Sequence, residues 1–458
     1  MWLPNIDSTR RPVYLELVRA LTAAIHDRTV HPGDRLPSHR ELAYRLRITV
    51  ATVTKAFAVA EHEGLIVSRV GRGTYAICFP EKLLDADDRS VEIIDLRANA
   101  GMLGDVNNLL NRALGAISRR KSLHSLLEYH PTLGTLPHRA TGSHWMRLRG
   151  VKVSVDDVLV CESSREALIA ILAMLAGRDQ IILTENLNIP GIREAAELFG
   201  LRLRGLPTDA EGLRPDTVAA ACEEGGVTAI VCSPTMHDPT NTTMGLERRH
   251  QIIKIARDFG CVLLENDSSG HLSGDTTPTI TQLAPDICVY LCGTYKSVAP
   301  GLRVGFIGCP PNLTKPIHQA LHSMSWAACA LMGELTSVLI NDGTGTRLLA
   351  MHRKEAGARM RIAAEILKRR DIVPTFPSYH FWLPLPARIS ASAFSDDLKN
   401  RGVLVHPAQD FALNEQSAPN ALRVALGGVR DRPKLIEALT IIAEQLHTLG
   451  VSPEERDT

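Results

Sequence analysis

Residues 292–305 read CGTYKSVAPGLRVG and give the clearest chemical signal in the chain. They follow the apolar run Ile287–Leu291, which predicts a buried strand. Lys296 stands among small and hydroxyl side chains, seven positions before Arg303. A lysine amine forms an imine with an aldehyde, while hydroxyl groups and a guanidinium bind a phosphate. The stretch indicates a site for a phosphate-bearing aldehyde, although a lone lysine after a strand more often faces solvent.

Strand-like and helix-like patterns alternate on both sides of this stretch. The apolar strand-like runs are Val158–Val160, Gln180–Leu183, Ala229–Val231, Val262–Leu264 and Ile287–Leu291. Helical patterns lie between several of these runs, and such alternation predicts an α/β domain with a mostly parallel sheet. We expect this domain to span residues 95–458.

The composition is that of a soluble globular protein with a large core. The chain has 458 residues, of which 45% are hydrophobic and 22% charged, so we expect two or three domains. The apolar run Ala167–Ala176 is too short to cross a bilayer, and the first residues contain no apolar signal segment. Nine dispersed cysteines are typical of reduced thiols. These features predict a cytoplasmic protein without membrane segments.

Positive charge is concentrated at the N-terminus. Residues 1–80 contain eleven Lys or Arg and seven Asp or Glu, whereas the remainder of the chain is slightly acidic. This distribution is compatible with nucleic-acid binding. Residues 80–90 (PEKLLDADDRS) start with a proline and carry four acids, which predicts a polar linker over residues 80–94.

Residues 1–79 have the order of elements of a winged helix-turn-helix domain. A helix follows Pro12, and a second begins in a capping box formed by Ser38 and Glu41. A third helix is predicted from near Thr49, and a two-stranded hairpin follows from Leu65 to Ile77. The third helix would enter the major groove of DNA.

Six residues of this domain are candidates for DNA contacts. Thr49, Thr52 and Lys55 are outward positions of the third helix, Arg40 starts the preceding helix, and Arg69 and Arg72 flank the hairpin turn. Small or basic side chains suit groove and phosphate contacts. The alternative is that these arginines only solvate a small helical surface.

The N-terminal domain resembles the GntR family of bacterial regulators. The matching stretches are GDRLPSHRELA, TVATVTKAFAVAEHEGLI and GRGTYAI, which lie between Pro12 and Ile77. Val50 departs from the family, which often has Arg there, and this departure removes one expected base contact.

The remainder resembles a fold-type I aminotransferase from about Asp95 to Leu449. Matching segments are Tyr129…Gly134…Arg139, LRGV at 148–151, Ser233-Pro234…Asp238-Pro239-Thr240-Asn241, HFWLP at 380–384, Gly402-Val403…His406-Pro407…Phe411 and ALRVA at 421–425. This resemblance implies a larger part over residues 95–312 and a smaller α+β part over residues 313–458. A GntR-like head joined to such a body resembles the MocR subfamily of transcriptional regulators.

The MocR resemblance implies pyridoxal 5′-phosphate as the cofactor, with Lys296 as the Schiff-base residue and Arg423 as the residue that grips an effector carboxylate. It also implies promoter DNA as a partner and a homodimer that exchanges its DNA-binding heads. The effector would be an amino acid, an amine or the cofactor itself. The implied cofactor contacts are Lys296, Arg303, Ser163, Ser164, Arg165, Ile189, Asp238, Asn266, Ser268 and Thr294.

Several cofactor contacts depart from the family pattern. Asn266 stands where a carboxylate would keep the ring nitrogen protonated, and Ser268 replaces a tyrosine. Asp267 is a weaker candidate for the carboxylate role because its side chain should point to the other strand face. Ile189 replaces an aromatic residue that stacks on the ring, and residues 161–165 (CESSR) replace the usual phosphate turn. These changes predict weakened carbanion chemistry with cofactor binding retained.

Three functions remain open from the sequence. The first is a regulator in which an effector amine displaces Lys296 and places its carboxylate on Arg423. The second is a working aminotransferase with a DNA-binding head, and the third is a cofactor-free repressor whose body only dimerises. His237, beside Asp238, invites a metal or acid–base role, but we expect a pocket-loop or surface position and no metal site.

Overall fold

The computed structural model describes residues 2–4, 12–27, 29–31, 33–62, 65–69, 73–76, 93–101, 106–175, 180–189 and 192–451. The chain separates into two compact units, Met1–Val91 and Glu92–Thr458, here called the head and the body. Most of the predicted linker, residues 80–92, lies outside the described residues. The predicted domain limits therefore stay predictions.

The head has the predicted order of three helices and a hairpin. Its elements are α1 Val13–His26, α2 His39–Leu46, α3 Val50–His62, β1 Ile66–Arg69 and β2 Gly73–Ala76. Strands β1 and β2 pair antiparallel. The apolar residues at helical spacing meet in one core, in which Leu17, Leu21, Leu42, Val53 and Phe57 are buried.

Capping residues fix where the second and third helices start. The Ser38 hydroxyl accepts a hydrogen bond from the backbone N–H of Glu41 at 3.2 Å, as the predicted capping box requires. The Thr49 hydroxyl likewise accepts a hydrogen bond from the backbone N–H of Thr52 at 3.1 Å. Between the two helices, Arg47 adopts a left-handed backbone with φ of 53° and turns the chain.

Strands of the body fall into one large sheet and several small ones. In chain order they are β3 Ile94–Asp95, β4 Val158–Cys161, β5 Ile181–Glu185, β6 Arg202–Leu206, β7 Thr208–Asp209, β8 Gly212–Leu213, β9 Val227–Cys232, β10 Val262–Asn266, β11 Cys288–Gly293, β12 Gly305–Gly308, β13 His380–Pro384, β14 Val403–Leu404, β15 His406–Pro407 and β16 Ala421–Ala425. Each of the five strand-like runs predicted from the sequence overlaps one of them, and two of the runs start one residue before the strand.

Helices cover the body sheets. They are α4 Asn107–Ser118, α5 Leu136–Arg147, α6 Ser164–Leu175, α7 Ile192–Phe199, α8 Pro215–Glu223, α9 Leu246–Asp258, α10 Gly270–Ser273, α11 Ile280–Leu283, α12 Pro311–Met324, α13 Ala330–Asn341, α14 Thr344–Leu367, α15 Ala391–Asn400 and α16 Arg432–Thr448. Short 3₁₀ helices occupy Leu123–Leu127, Val155–Asp157, Pro300–Leu302, Ala408–Phe411 and Glu415–Ser417. Within the described ranges, no helix is both long and apolar enough to span a membrane.

The large sheet confirms the predicted mostly parallel α/β architecture. Within the described residues it has seven strands in the order β4-β12-β11-β10-β9-β5-β6. Strands β11, β10, β9, β5 and β6 run parallel, whereas β12 is antiparallel to both of its neighbours. The carboxyl ends of the parallel strands share one edge, which is where open α/β sheets bind ligands.

The smaller part of the body forms its own core. Strands β13, β16 and β15 pair antiparallel, and helices α14, α15 and α16 pack against them. Phe381, Leu422 and Leu439 are buried in this core. Strand β3 pairs parallel with β14, so the first described residues of the body belong to this part.

Candidate functional site

A cavity of about 320 Å³ opens at the carboxyl edge of the large sheet. Its lining comes from the ends of β9, β10 and β11 and from the start of α6. The lining residues are Glu162, Ser163, Ser164, Arg165, Ile189, Ser233, Thr235, Met236, Asp238, Asn266, Ser268, Ser269, Gly293, Tyr295, Lys296, Arg303 and Val304. Nine of the ten predicted cofactor contacts are among them.

Lys296 supplies a buried amine to this cavity. It lies three residues after β11, and its Nζ donates to Asp238 Oδ2 at 3.2 Å and to Ser269 Oγ at 3.0 Å. Burial alone would lower the pKa of Lys296, but Tyr295 and the Asp238 carboxylate outweigh it, so the pKa lies above its ordinary value. Without a ligand, Lys296 is therefore a charged ammonium.

Asp238 is the acidic partner of that ammonium. Its Oδ2 also accepts from Asn99 Nδ2 at 2.7 Å, and its Oδ1 lies 3.9 Å from Arg423 Nε. Burial alone would raise the pKa of Asp238, but Lys296, Arg423 and their neighbours hold it well below its usual range. The carboxylate therefore stays ionised at neutral pH.

Asn266 and Ser268 form a neutral polar end of the cavity. The Ser268 hydroxyl donates to Asn266 Oδ1 at 2.5 Å and lies 3.1 Å from Ser164 Oγ. With its oxygen occupied, the Asn266 amide is left with its N–H₂ group to offer. It can donate a hydrogen bond to a ring nitrogen but cannot balance a positive charge there.

Asp267 lies between these two residues but is not among the cavity-lining residues of the described chain. Its Oδ2 accepts from Tyr290 Oη at 2.6 Å and from Arg149 Nε at 3.1 Å, and the residue is fully buried. Alternation along the end of β10 explains why its side chain leaves the cavity.

The start of α6 forms an anion-binding end. Ser163 precedes the helix, and its Oγ accepts from the backbone N–H of Glu166 at 3.1 Å. The first N–H groups of a helix have no partner within it and attract anions. Ser163, Ser164, Arg165 and Arg303 line the cavity here, and these hydroxyl and guanidinium groups are those that bind phosphate.

An acidic side chain of the cavity wall, Glu162, opposes this cationic end. Glu162 lines the same cavity and is exposed. Arg303 is also exposed and adopts a left-handed backbone with φ of 50°, an uncommon state for a residue other than glycine, just before β12.

Two predicted residues lie outside the cavity wall. Thr294, within the part of the chain that the structure describes, is not a lining residue: it is fully buried, and its hydroxyl donates to the Val304 carbonyl at 3.0 Å. Arg423, on β16, lies behind Asp238, and its guanidinium packs 5.1 Å from the centre of the Phe411 ring. Ile189 is half-buried at the wall and offers an aliphatic surface.

Several contacts were not predicted from the sequence. Ser269 and Asn99 bind the Lys296–Asp238 pair, and His380 Nε2 lies 4.0 Å from Asp238 Oδ1. The run of serines after Asp267 is a signal for Ser269, but Asn99 and His380 carry no local pattern. His237 is buried and bonds to Thr240 and to the Leu187 carbonyl.

The head presents a second candidate surface. Arg40 and Lys55 are exposed on α2 and α3, and Lys55 Nζ lies 4.2 Å from the centre of the Tyr14 ring. Thr49 and Thr52 share a hydrogen bond at 2.8 Å at the start of α3. Val50 is 45% exposed there. Arg72 and the side chain of Arg69 lie outside the described residues.

Each of the two units matches a different protein family. Residues 13–76 match the family described as bacterial regulatory proteins, gntR family. Residues 91–441, more than half of the chain, match aminotransferase class I and II.

Individual relatives include a regulator that is similar over nearly the whole chain and an aminotransferase of similar structure. An uncharacterised HTH-type transcriptional regulator of Bacillus subtilis, YdeF, is 26% identical over 467 residues, which cover 98% of this chain and 97% of that protein. Pyrococcus horikoshii kynurenine aminotransferase has a similar structure, with a TM-score of 0.71, 20% identity, and coverage of 81% of this chain and 97% of its own.

A third relative is LysN, the α-aminoadipate aminotransferase of Thermus thermophilus. Its structure, complexed with N-(5′-phosphopyridoxyl)-L-leucine, gives a TM-score of 0.70 at 22% identity, covering 81% of this chain and 97% of that one. The shared fold and the family match agree. The chain therefore belongs to the aminotransferase class I and II family, with a GntR-type helix-turn-helix domain fused to its N-terminus as in the MocR subfamily of regulators.

Proposed function

We propose that this chain is a DNA-binding transcriptional regulator whose body binds pyridoxal 5′-phosphate at Lys296 and senses a small amino compound. The observation that carries the proposal is the buried amine of Lys296, which faces a cavity with an anion-binding helix start, in a chain that has a helix-turn-helix head. The aminotransferase fold is one that uses this cofactor, and structures similar to this one include complexes with its derivatives.

The cavity residues fit that cofactor by their chemistry. Lys296 provides the amine for the aldehyde, and the start of α6 with Arg303 provides donors for the phosphate. Asn266 provides a neutral donor for the pyridine nitrogen, and Ile189 an apolar wall. The cofactor supplies an aldehyde carbon that bonds reversibly to amines.

Other side chains of the cavity position the amine and the ring. Asp238 and Ser269 hold the Lys296 amine in the cavity, and Asp238 stabilises positive charge on it. Ser268 orients Asn266, whose amide cannot stabilise a protonated ring. This neutral end favours binding and recognition over repeated proton abstraction, and it supports a sensor rather than a turnover enzyme.

The head supports DNA as the partner. Helices α2 and α3 have the arrangement of a helix-turn-helix, with Arg40 and Lys55 on the exposed surface. We propose promoter DNA as the target and a cytoplasmic homodimer, with exchanged heads, as the active form. An effector that binds one conformation of the body more tightly would then change the affinity for DNA.

Titration of the purified full chain with pyridoxal phosphate tests the proposal. We expect a visible absorbance band, loss of the free Lys296 amine after borohydride reduction, and a labelled peptide that contains residues 292–305. Lys296→Ala should remove the label. A chain that stays colourless and unlabelled would leave a cofactor-free repressor as the explanation.

A working aminotransferase is the second candidate because the chain keeps the lysine and the two arginines that the reaction requires, at Lys296, Arg303 and Arg423. A half-reaction with a panel of amino acids separates the two proposals. Rapid conversion of the cofactor to its amine form would favour the enzyme. Slow conversion that accelerates in Asn266→Asp would favour the sensor.

A further inference from the structure

The first strand of the body is fixed to the smaller part on two sides. The backbone N–H groups of Ile94 and Leu96 donate to the carbonyls of Gly402 and Leu404, each at 2.8 Å. The Leu96 carbonyl accepts from the backbone N–H of Ala425, on β16, at 2.8 Å, and the Leu96 side chain is fully buried in the core of this part. The chain therefore leaves the smaller part from a rigid position.

Three residues further along, the same stretch reaches the wall of the cavity. Buried Asn99 donates from Nδ2 to Asp238 Oδ2 at 2.7 Å, and its carbonyl accepts from Tyr295 Oη at 3.1 Å. Asp238 and Tyr295 both line the cavity, and Tyr295 directly precedes Lys296. Residues 94–101, here called the bridging segment, therefore join the smaller part to the cavity wall.

The bridging segment is closely packed along its second half. Gly427 lies so near the segment that a side chain there would overlap the Ala100 carbonyl. A side chain at Gly101 would overlap the rings of Tyr379 and His352. Closely packed interiors transmit a displacement because they have no void to absorb it. A shift at the cavity end would therefore displace the rest of the segment.

One oxygen joins this segment to the reactive amine. Asp238 Oδ2 accepts from Asn99 and also from Lys296 Nζ, the latter at 3.2 Å. Hydrogen bonds that share an atom depend on one another, because each donor changes the charge and the position of the acceptor. A reaction that takes the Lys296 amine away from Oδ2 therefore changes the hydrogen bond that holds Asn99.

We propose that the bridging segment carries the state of the cofactor site to the head, with Asn99 as the positioning residue that responds when Lys296 leaves Asp238. This inference rests on the proposed function and names its route of regulation. In the chain, the segment follows the stretch that leads to the head. Two positions of the segment would therefore give the ligand-bound and ligand-free forms different affinities for DNA.

The coupling factor between ligand and DNA measures this role. The probe is N-(5′-phosphopyridoxyl)-L-alanine, and calorimetry gives its dissociation constant for the cofactor-free full chain without and with a duplex selected by that chain. The factor is the ratio of the two constants, and in the unaltered chain it should differ from one by about 5-fold or more. In Asn99→Ala it should be about one. A variant that only weakens probe binding changes both constants equally and keeps the factor.

Two further variants separate the segment from the rest of the site. Tyr295→Phe removes only the hydroxyl that donates to the Asn99 carbonyl, so it disturbs the fold little, and it should move the factor towards one. Ser269→Ala is the matched control, because it removes the other hydrogen bond of Lys296 Nζ and lies outside the segment. It should weaken probe binding and keep the factor of the unaltered chain.

Hydrogen exchange provides a second measurement that needs no DNA. The amides of Ile94 and Leu96 are protected by their hydrogen bonds to the neighbouring strand. In the unaltered full chain, probe binding should change their exchange rates by about 3-fold or more. In Asn99→Ala the same amides should exchange equally fast with and without the probe.

The outcomes separate this inference from the proposed function. If the probe does not bind the unaltered chain, or binds with a factor of one, the proposed sensor itself is wrong. If the unaltered chain shows the factor and both Asn99→Ala and Tyr295→Phe retain it, the sensor stands and the bridging segment is not its route. An equal loss of the factor in Ser269→Ala would also overturn the role of the segment, since any change beside Lys296 would then have the same effect.

Discussion

The side chains around Lys296 give the two ends of the cavity different charge. Beside the lysine, Asp238 is an ionised carboxylate paired with an ammonium. At the other end, Asn266 and Ser268 are neutral. A cofactor held between them would have its negative protein partner near the reactive amine and not near the ring nitrogen. This distribution suits reversible capture of an amine better than stabilisation of a carbanion.

Glu162 provides a test at the anion-binding end. Its carboxylate lines the cavity beside the start of α6, where a phosphate would bind. We expect Glu162→Gln to tighten pyridoxal phosphate binding by about 3-fold, a modest gain because the side chain is exposed and screened. Fluorescence titration of the full chain measures it.

The matched control for Glu162→Gln is Glu197→Gln, an exposed substitution on α7 outside the cavity lining. It should leave the affinity unchanged. An unchanged or weakened affinity in Glu162→Gln would show that this carboxylate does not face the phosphate.

Among the elements, α14 and α16 are joined by a carboxylate with two arginines. Glu355 on α14 accepts from Arg432 on α16 at 2.7 Å and from Arg359 at 2.8 Å. Buried Arg359 in turn donates to the carbonyls of Leu426 and Val429. The hydrogen bond from Arg432 and then Arg359 lower the pKa of Glu355 to about 2.

This lowered pKa predicts a pH dependence of stability. Because the folded-state pKa lies below the ordinary value of 4.5, the charged form stabilises the fold above that pH, and the stabilisation is lost as the pH falls towards 2. We expect Glu355→Gln to lower the free energy of unfolding at pH 7 by about 1 kcal/mol. Calorimetric melting at several pH values checks this.

The same melting series contains its own control. Glu365→Gln on α14 removes an exposed carboxylate and should retain the full pH dependence. Between pH 5 and pH 3 the melting temperature should fall less in Glu355→Gln than in the unaltered chain. Parallel curves would contradict the role of Glu355.

Sequence patterns predicted most elements but missed two strands of the large sheet. The buried apolar runs that became β4, β5, β9, β10 and β11 were visible because both faces of a parallel strand are covered. Edge strand β6 carries two arginines, and β12 is four residues long with a glycine at each end. Neither has enough apolar pattern to be recognised.

The candidate site was predictable only where local spacing carried the information. Strand alternation correctly indicated that Asp267 points away from the cavity. Asn99 and Asp238 are 139 residues apart in sequence, so their hydrogen bond depends on the tertiary fold. His380 and Arg423 approach Asp238 from another sheet for the same reason. The positions of Asn99, His380 and Arg423 around Asp238 were therefore inaccessible from the sequence.

For the whole molecule, the head must bind DNA if the body is to act as a sensor. Arg40 is exposed at the start of α2. If it contacts a base edge, Arg40→Ala should weaken binding to a duplex selected by the full chain by about 10-fold. Gel shifts measure this. Arg19→Ala on α1, outside the paired helices, is the control, and equal losses in both variants would indicate only a general charge effect.

Coupling between head and body has a thermodynamic signature that does not depend on how the signal travels. If a ligand in the body changes the affinity for DNA by some factor, DNA must change the affinity for that ligand by the same factor. We expect the N-(5′-phosphopyridoxyl) derivative of L-alanine to bind with a changed dissociation constant when the selected duplex is present, by about 5-fold or more in either direction. Calorimetry with and without the duplex provides one factor, and gel shifts with and without the derivative provide the other. A random duplex that the chain does not bind is the control. If neither affinity changes, the body and the head bind their ligands independently. The sensing role would then be wrong even if both binding sites exist.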